Sequence, residues 1–422
     1  MFEPGVETRP WQEQFALDDA SYRAQLAYLL ARSPFYRGKL AGFESAGLAE
    51  IAQLPLTEKD ELRATRTADN PIGTHLCASP SELVRIYSTS GTTGAPSYVP
   101  LTASDLENWI TTSARSYAAS GIAAGQRVVT TYNAGPFVAG AALAAFERIG
   151  VTHIPLGIGN TERLLRTIEL LRPDAIVLTP SYAAHLAEQQ PELASSSVER
   201  VLVAGEPGGG EPAFRAQLEK GWGAKATEAM GVGDIGVSLF GECDEQDGMH
   251  IGARGFVHVE LIDAEGGPVP LDDGAAGELV LTHLRHRAAP LVRFRTRDHV
   301  VVRTGPCPCG RTGPRVRCVG RTDDMLIVRG VNVFPSAVRD VVTSFAPNVS
   351  GQVLVKPTAD GVTQEPPLPV VVELARGANA DDSLADAIRE RLRAVLVVQT
   401  RIELVPYGTL ERSEYKSVLV GR

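Results

Sequence analysis

The stretch Tyr87-Ser88-Thr89-Ser90-Gly91-Thr92-Thr93-Gly94-Ala95-Pro96 interleaves hydroxyl residues with two glycines. Glycines let a backbone approach a polyanion closely, and hydroxyls with free amides donate to phosphate oxygens. The chemistry this suggests is phosphate binding, on a spacing that is not the Walker pattern ending in Gly-Lys-Ser/Thr. A surface turn rich in small polar residues is the alternative reading. A second group is Cys243, His250, Cys307 and Cys309. Three thiols and an imidazole make a four-ligand set suited to a closed tetrahedral zinc site; with no vacancy for substrate, its role would be structural. The Cys-x-Cys spacing is tighter than the usual Cys-x2-Cys, and buried thiols acting as small hydrophobes are the alternative. Cys77 and Cys318 read as core residues, with Cys318 the reserve ligand. His153 and His283 read as ordinary hydrogen-bonded histidines rather than acid/base groups.

The elements that must position these groups follow from apolar spacing. Ala16 to Arg32 carries Leu17, Tyr22, Leu26, Leu29 and Leu30 at helical intervals, and Thr57-Glu58 opens a helix at Lys59 to Arg63. Beyond Arg85, buried strands at 126–131, 151–156, 175–178 and 201–203 alternate with helices at 138–148, 161–171 and 182–189, the rhythm of an α/β layer with a mainly parallel sheet. After Gly255 the chain turns β-rich, with strands at 257–262, 277–282 and 298–303. Near Asp323 a smaller α+β unit begins, with strands at 325–329, 353–355 and 370–373 and helices at 336–345 and 382–396; the Pro-rich 363–369 reads as a hairpin loop. The expected organisation is a large domain 1–322 and a small domain 323–422, without internal repeats.

At about 150 residues per domain, 422 residues allow two to three. Fifty acidic against 41 basic residues leave a net charge of −9, which argues against a broadly basic nucleic-acid surface. No run approaches the roughly 18 apolar residues of a membrane helix, and Met1 to Gln12 lacks the basic-then-apolar order of a signal peptide. The expectation is a cytoplasmic protein without nucleic-acid or membrane partners, where five cysteines favour metal over disulfides.

The hydroxyl-glycine stretch resembles the phosphate loop of the adenylate-forming superfamily of acyl-CoA synthetases, peptide-synthetase adenylation domains and luciferases. Other segments narrow the resemblance to the phenylacetate-CoA ligase family: Ser33-Pro-Phe-Tyr-Arg37, Leu54-Pro-Leu-Thr-Glu-Lys59, Gly159-Asn-Thr-Glu-Arg163, Thr179-Pro-Ser-Tyr182, Pro290-Leu-Val-Arg-Phe-Arg-Thr296, Cys307-Pro-Cys-Gly-Arg-Thr312 and, above all, the run from Gly320 to Pro335. They span nearly the whole chain. The resemblance implies a large adenylate-forming domain with mainly parallel sheets and a β-rich subdomain, followed by a small mobile lid.

What the resemblance implies for the residues is specific. Gly408-Thr-Leu-Glu-Arg-Ser-Glu-Tyr-Lys416 matches a late element whose lysine contacts carboxylate and α-phosphate, so Lys416, with Thr92 and Asp234, would be catalytic. Ser88, Thr89, Ser90, Gly91, Thr93 and Gly94 would hold phosphates. Gly205-Glu206-Pro207 would pack on adenine with Met230 and Gly231, Asp298 and Arg321 would bind the ribose, and Asp323 would be the hinge. Tyr132, Phe137, Ala204 and Gly233 would line an acyl pocket at the carboxyl ends of strands, although a lone Phe equally suits core packing. The chain departs from type at Met230 for an aromatic residue, Asp234 for Glu, Ala95 for Lys, and Glu411 and Tyr415 for Pro and Gly.

The implied activity joins an aromatic carboxylate to AMP, with ATP, Mg2+ and coenzyme A as reactants and ion. A carboxylate approaching a triphosphate sets like charges about 4 Å apart, costing roughly 4 kcal/mol per unit pair at an effective dielectric of 20, so cations must sit where charge develops. Two other readings stand beside it: adenylation with transfer to an amine, a carrier-protein thiol or another small nucleophile, and a degenerate nucleotide-binding protein. Relatives of this type are often homodimers.

Overall fold

The computed structural model describes all residues except 89–96, 133–138, 360, 414–417 and 422. The expected phosphate-loop residues Thr89, Ser90, Gly91, Thr92, Thr93 and Gly94, the pocket residue Phe137 and the lysine Lys416 lie outside the described residues. Two compact units emerge: Met1–Asn160 with Thr227–Thr296 and Val300–Arg317, and Thr161–Ala226 with Arg297–His299 and Cys318–Arg422. No helix among the described residues is long and apolar enough to cross a membrane.

In the first unit, the helix Trp11–Arg32 buries Tyr22, Leu26 and Leu29 against Tyr36, Leu40, Leu48, Ile51, Leu54 and Cys77, the last a core residue as its type suggests. The parallel strands Arg127–Thr130 and Thr152–Pro155 are joined through the helix Ala139–Ile149. An antiparallel β-rich run follows: Lys225–Val232, whose residues from Thr227 on lie in this unit, pairs with Gly236–Glu242, which pairs with Met249–Ile251, while Val257–Ile262 pairs with Ala276–His283.

A helix that apolar spacing does not announce, Ala103–Ala119, is held by a capping box in which Thr102 accepts from the Asp105 N–H. Its buried face includes Thr112, Ser113, Arg115 and Ser116. It packs by close backbone approach: a Cβ on Gly241 would stand 2.1 Å from the Ser116 carbonyl oxygen, and Ser116 Oγ donates to the Phe240 carbonyl at 2.7 Å.

In the second unit, the parallel strands Ala175–Leu178 and Arg200–Ala204 carry the helices Thr161–Leu171, Pro180–Gln189 and Pro212–Trp222. The C-terminal part has its own core of Val338, Val342, Val353, Val370, Ile388 and Leu392 among others. There Leu368–Leu374 pairs antiparallel with Val349–Val355 and parallel with Thr400–Val405, under the helices Pro335–Thr343 and Asp382–Leu396. The strand expected at 325–329 is a hairpin, Leu326–Val328 with Val331–Val333. Its two-residue turn needs positive φ at both positions, supplied by Arg329 (49°) and Gly330 (80°). The expected loop at 363–369 contains a short strand, Thr363–Gln364, parallel to Ile327–Val328. The architecture is thus α/β, with parallel pairs, an antiparallel run and small C-terminal sheets.

Candidate functional site

Cys243 follows the strand Gly236–Glu242, and His250 sits mid-strand, paired with Gly241 on one side and Arg315 on the other. The turn holding Cys307 and Cys309 precedes the strand Arg315–Arg321, which carries Arg315. The result is one group: the four ligand atoms lie within 4.8 Å of one another, with Cys243 Sγ 3.6 Å from Cys307 Sγ and Cys309 Sγ 3.3 Å from His250 Nε2. These sulfurs are unbridged. Zn–S bonds of about 2.3 Å place tetrahedral sulfurs about 3.8 Å apart, so the spacing suits zinc.

Without an ion the four groups are shifted in different directions, and only Cys309 and His250 move toward the form that a metal binds. Burial pushes the Cys243 thiol up to about 12 and raises Cys307. Burial acts the same way on Cys309, but hydrogen bonds from the Arg311 backbone, Cys307 and the Arg311 side chain outweigh it and hold that thiol below its usual range. Burial, then the charges of Arg311, Arg315 and Arg254, lowers His250 to about 3, leaving the neutral imidazole that a metal requires. The Cys318 thiol lies 3.9 Å from the Gly320 carbonyl.

The same turn ties down the N-terminus. Arg311 Nε donates to the buried Glu7 carboxylate at 2.6 Å, and Arg254 donates to the carbonyls of Glu7 (3.0 Å) and Arg9 (2.7 Å).

The residues Met230, Gly231, Gly233 and Asp234 lie at the end of a β-hairpin, with Ile235 N donating to Val232 O at 2.8 Å. A side chain at Gly231 would meet the Val237 carbonyl oxygen at 1.8 Å, so backbone approach alone demands glycine there. Met230 is half-buried. Asp234 accepts from Lys59 Nζ at 2.8 Å, across 175 residues of sequence. Around that pair is a cavity of about 20 Å3 lined by Leu62, Arg66, His75, Ser97 and His286 among others. Lys59 lies in a segment carrying the family resemblance, yet nothing in its spacing marks Asp234 as its partner. His283 is bonded on both nitrogens, to Ile235 O (2.9 Å) and Leu291 N (3.0 Å), and His153 Nε2 to Thr130 Oγ1 (2.9 Å), as ordinary histidines are. Tyr132 is buried. Ser88 ends the strand Leu83–Ser88, paired antiparallel with Tyr98–Thr102.

In the second unit, Asp298, Arg321 and Asp323 form a connected network. Arg321 Nη1 donates to Asp298 Oδ1 at 2.8 Å and Nη2 to Asp323 Oδ2 at 3.1 Å. Asp298 is buried, Arg321 half-buried and Asp323 exposed. The turn Gly205-Glu206-Pro207 follows the strand Arg200–Ala204; Gly205 has φ 100° and is exposed, and Glu206 Oε1 accepts from the Ser181 N–H at 2.7 Å. A carboxylate-guanidinium pair of this kind can take a ligand's hydroxyls, and an open turn at a strand's carboxyl end can take a flat ring.

Comparison with known proteins matches residues 23–283 to a family of AMP-binding enzymes and residues 330–421 to the AMP-binding enzyme C-terminal domain. A phenylacetate-coenzyme A ligase of Thermus thermophilus is 35% identical, over 98% of this chain and 97% of its own. Crystal structures of a 2-hydroxyisobutyryl-CoA ligase give a TM-score of 0.89 in a postadenylation state (26% identity, 99% of this chain, 91% of that one) and 0.71 in the thioesterification state (28%, 99% and 91%). The chain belongs to the AMP-binding enzyme family, in its phenylacetate-CoA ligase group, and is an enzyme of the AMP-forming acid-CoA ligase type.

Proposed function

We propose that the protein is an ATP-dependent aryl-CoA ligase acting on a phenylacetate- or benzoate-like acid. An oxygen of the carboxylate attacks the α-phosphorus of ATP, the bond to the bridging oxygen breaks and pyrophosphate leaves. The thiol sulfur of coenzyme A then attacks the acyl carbon, AMP departs and the thiol proton goes to solvent. The observation that carries the reading is the Asp298–Arg321–Asp323 network: an ionised, acceptor-only carboxylate suits a ribose diol, and its guanidinium partner also holds the exposed aspartate where the lid would turn.

In this reading residues 1–322 form the adenylating domain and 323–422 a lid rotating about Asp323. The turn Gly205–Pro207, Met230 and Gly231 are assigned to adenine, and Tyr132, Phe137, Ala204 and Gly233 to the acyl substrate. Ser88, with Thr89, Ser90, Gly91, Thr92, Thr93 and Gly94, holds phosphates, and Lys416 neutralises charge at the α-phosphate. Asp234 would hold Mg2+, which favours one or two carboxylates with substrate phosphates and its own waters, and which when bound neutralises phosphate charge. Lys59, on the same carboxylate, adds positive charge there. The Cys243–His250–Cys307–Cys309 set would hold a structural zinc ion.

The test is ATP–pyrophosphate exchange with a panel of aromatic acids, followed by product analysis with coenzyme A and with amines. Exchange is expected with at least one aryl acid, product only with coenzyme A, and a loss of about 100- to 1000-fold in Lys416→Ala. Folded protein giving no exchange with any acid would end this reading, and amide product would replace the acceptor.

A further inference from the structure

The helix Pro335–Thr343 belongs to the C-terminal part, yet two of its neighbouring side chains hold both ends of a segment far upstream. Arg339 is 3% exposed, and its Nη2 donates to the Pro207 carbonyl at 2.7 Å. Its guanidinium carbon lies 4.2 Å from the Phe214 ring centroid, close enough for cation–π attraction. Burial lowers its pKa, opposed by the charges of Glu206, Glu211 and Asp340. The backbone leaves room for it: a Cβ on Gly208 would stand 1.9 Å from Arg339 Nη2. Asp340 Oδ1 accepts from the N–H groups of Ala213 (2.8 Å) and Phe214 (3.2 Å). These open the helix Pro212–Trp222, whose own N-cap residue, Glu211, makes no side-chain cap. An aspartate there is favoured by the unpaired amides and the helix dipole.

Three more contacts join the same two stretches of chain. Gln217 Nε2 donates to Ser350 O (3.1 Å), Arg412 Nη2 pairs with Glu188 (3.0 Å), and Gln189 Nε2 donates to Tyr407 Oη (3.0 Å). All of them connect a residue beyond Asp323 to one between Thr161 and Ala226, so a lid turning at Asp323 must give them up together.

We infer that Arg339 is a positioning residue for the nucleotide: from the lid it fixes the carbonyl of Pro207, and with it the turn Gly205–Pro207 against which adenine packs, only while the lid is docked as in this structure. The inference rests on the ligase reading for the identity of that turn. When the lid leaves, the turn loses its partner, with Glu206 and Glu211 left behind. Grip on the adenine ring is therefore strong during adenylation and relaxed when AMP must go.

Titration calorimetry of the full-length protein with ATP and with adenosine, which has no phosphates, tests this on wild type and Arg339→Met. Both ligands are expected to bind about tenfold more weakly to the variant, the scale of one hydrogen bond from a charged donor. In exchange assays the KM for ATP should rise by a similar factor with kcat nearly unchanged. Thioester formation from supplied phenylacetyl-adenylate and coenzyme A should stay within about twofold. A loss confined to ATP, or an equal loss in both half-reactions, overturns the clamp. Should Arg339→Met fail to fold, Glu188→Ala decides: it loosens docking without touching the turn, and adenosine affinity unchanged from wild type overturns the inference. Adenosine binding needs no acid, so its outcome is separate from failure of the exchange reaction itself.

Discussion

The Cys3His cluster and the Asp298–Arg321–Asp323 network are both assembled from residues distant in sequence, and they differ in how their charges are satisfied. The cluster's Cys243 and Cys307 are buried, with thiols raised by burial, beside an imidazole held neutral. As a donor set, it is suited to one cation. In the network the charges are already paired, and the pairing grades from a buried carboxylate through a half-buried guanidinium to an exposed aspartate. Arg321 is shared between its two carboxylate partners. A closed donor set suits a fixed structural ion; a graded, self-paired set suits chemistry in which partners change.

Removing the metal should break this contrast most strongly. Chelation, or Cys243→Ser, is expected to take bound zinc from about one per chain to none. Stability should fall by several kcal/mol, because structural zinc contributes folding energy directly. The melting temperature would drop by about 10 °C or more, read by calorimetry. Loosening should spread to the N-terminus, since Arg311 anchors Glu7 from the cysteine turn. Metal content that survives both treatments, or an unchanged melting curve, would make the cluster merely buried thiols.

Asp298→Ala should behave differently. Arg321 keeps Asp323 as a partner, so losing the buried Asp298 carboxylate should lower stability by about 1 to 3 kcal/mol, less than losing the metal. Under the proposed assignment of Asp298 to the ribose, its loss should raise the KM for ATP by about 10- to 100-fold, the worth of one charged hydrogen bond. Steady-state kinetics beside a thermal melt separates the two effects. A large melting shift with intact KM would make Asp298 a structural residue.

How much of this was legible in the sequence depended on what each feature needs. The strand Ala175–Leu178 is buried at every position and reads directly as a continuous apolar run. The cluster was legible because only a few residue types ligate zinc. The helix Ala103–Ala119 was not, because its buried face carries serine, threonine and arginine whose partners are carbonyls and hydroxyls elsewhere, such as Phe240 O and Ser238 Oγ. The hairpin at Asp234 was read only as a motif, since Gly231 is fixed by an approach of the Val237 backbone that no local pattern encodes. Arg339 looks like any charged residue on a surface helix. It is buried because Gly208 and Phe214, more than a hundred residues earlier, leave it a slot.

The smallest expected effect sharpens the comparison at a single ring. His75, in the cavity beside Lys59 and Asp234, is held neutral like His250: burial, reinforced by Arg66 and opposed by Asp234, lowers it to about 4. Its Nδ1 has no hydrogen-bond partner among the described residues. Zinc would fix His250 as a neutral ligand, whereas His75 belongs to no such ligand group among the described residues. Because the folded pKa lies below the unfolded value of about 6.5, the unfolded chain takes up the proton first as pH falls. Stability from this group is therefore complete above about pH 6.5 and lost progressively down to about pH 4. At pH 5 the loss is about 2 kcal/mol. Denaturant melts of metal-loaded wild type and His75→Gln at pH 7 and pH 5 should show the variant losing less by about that amount. An identical loss in both would mean that the folded protein accepts the proton on His75, with Asp234 turned from Lys59 toward the ring.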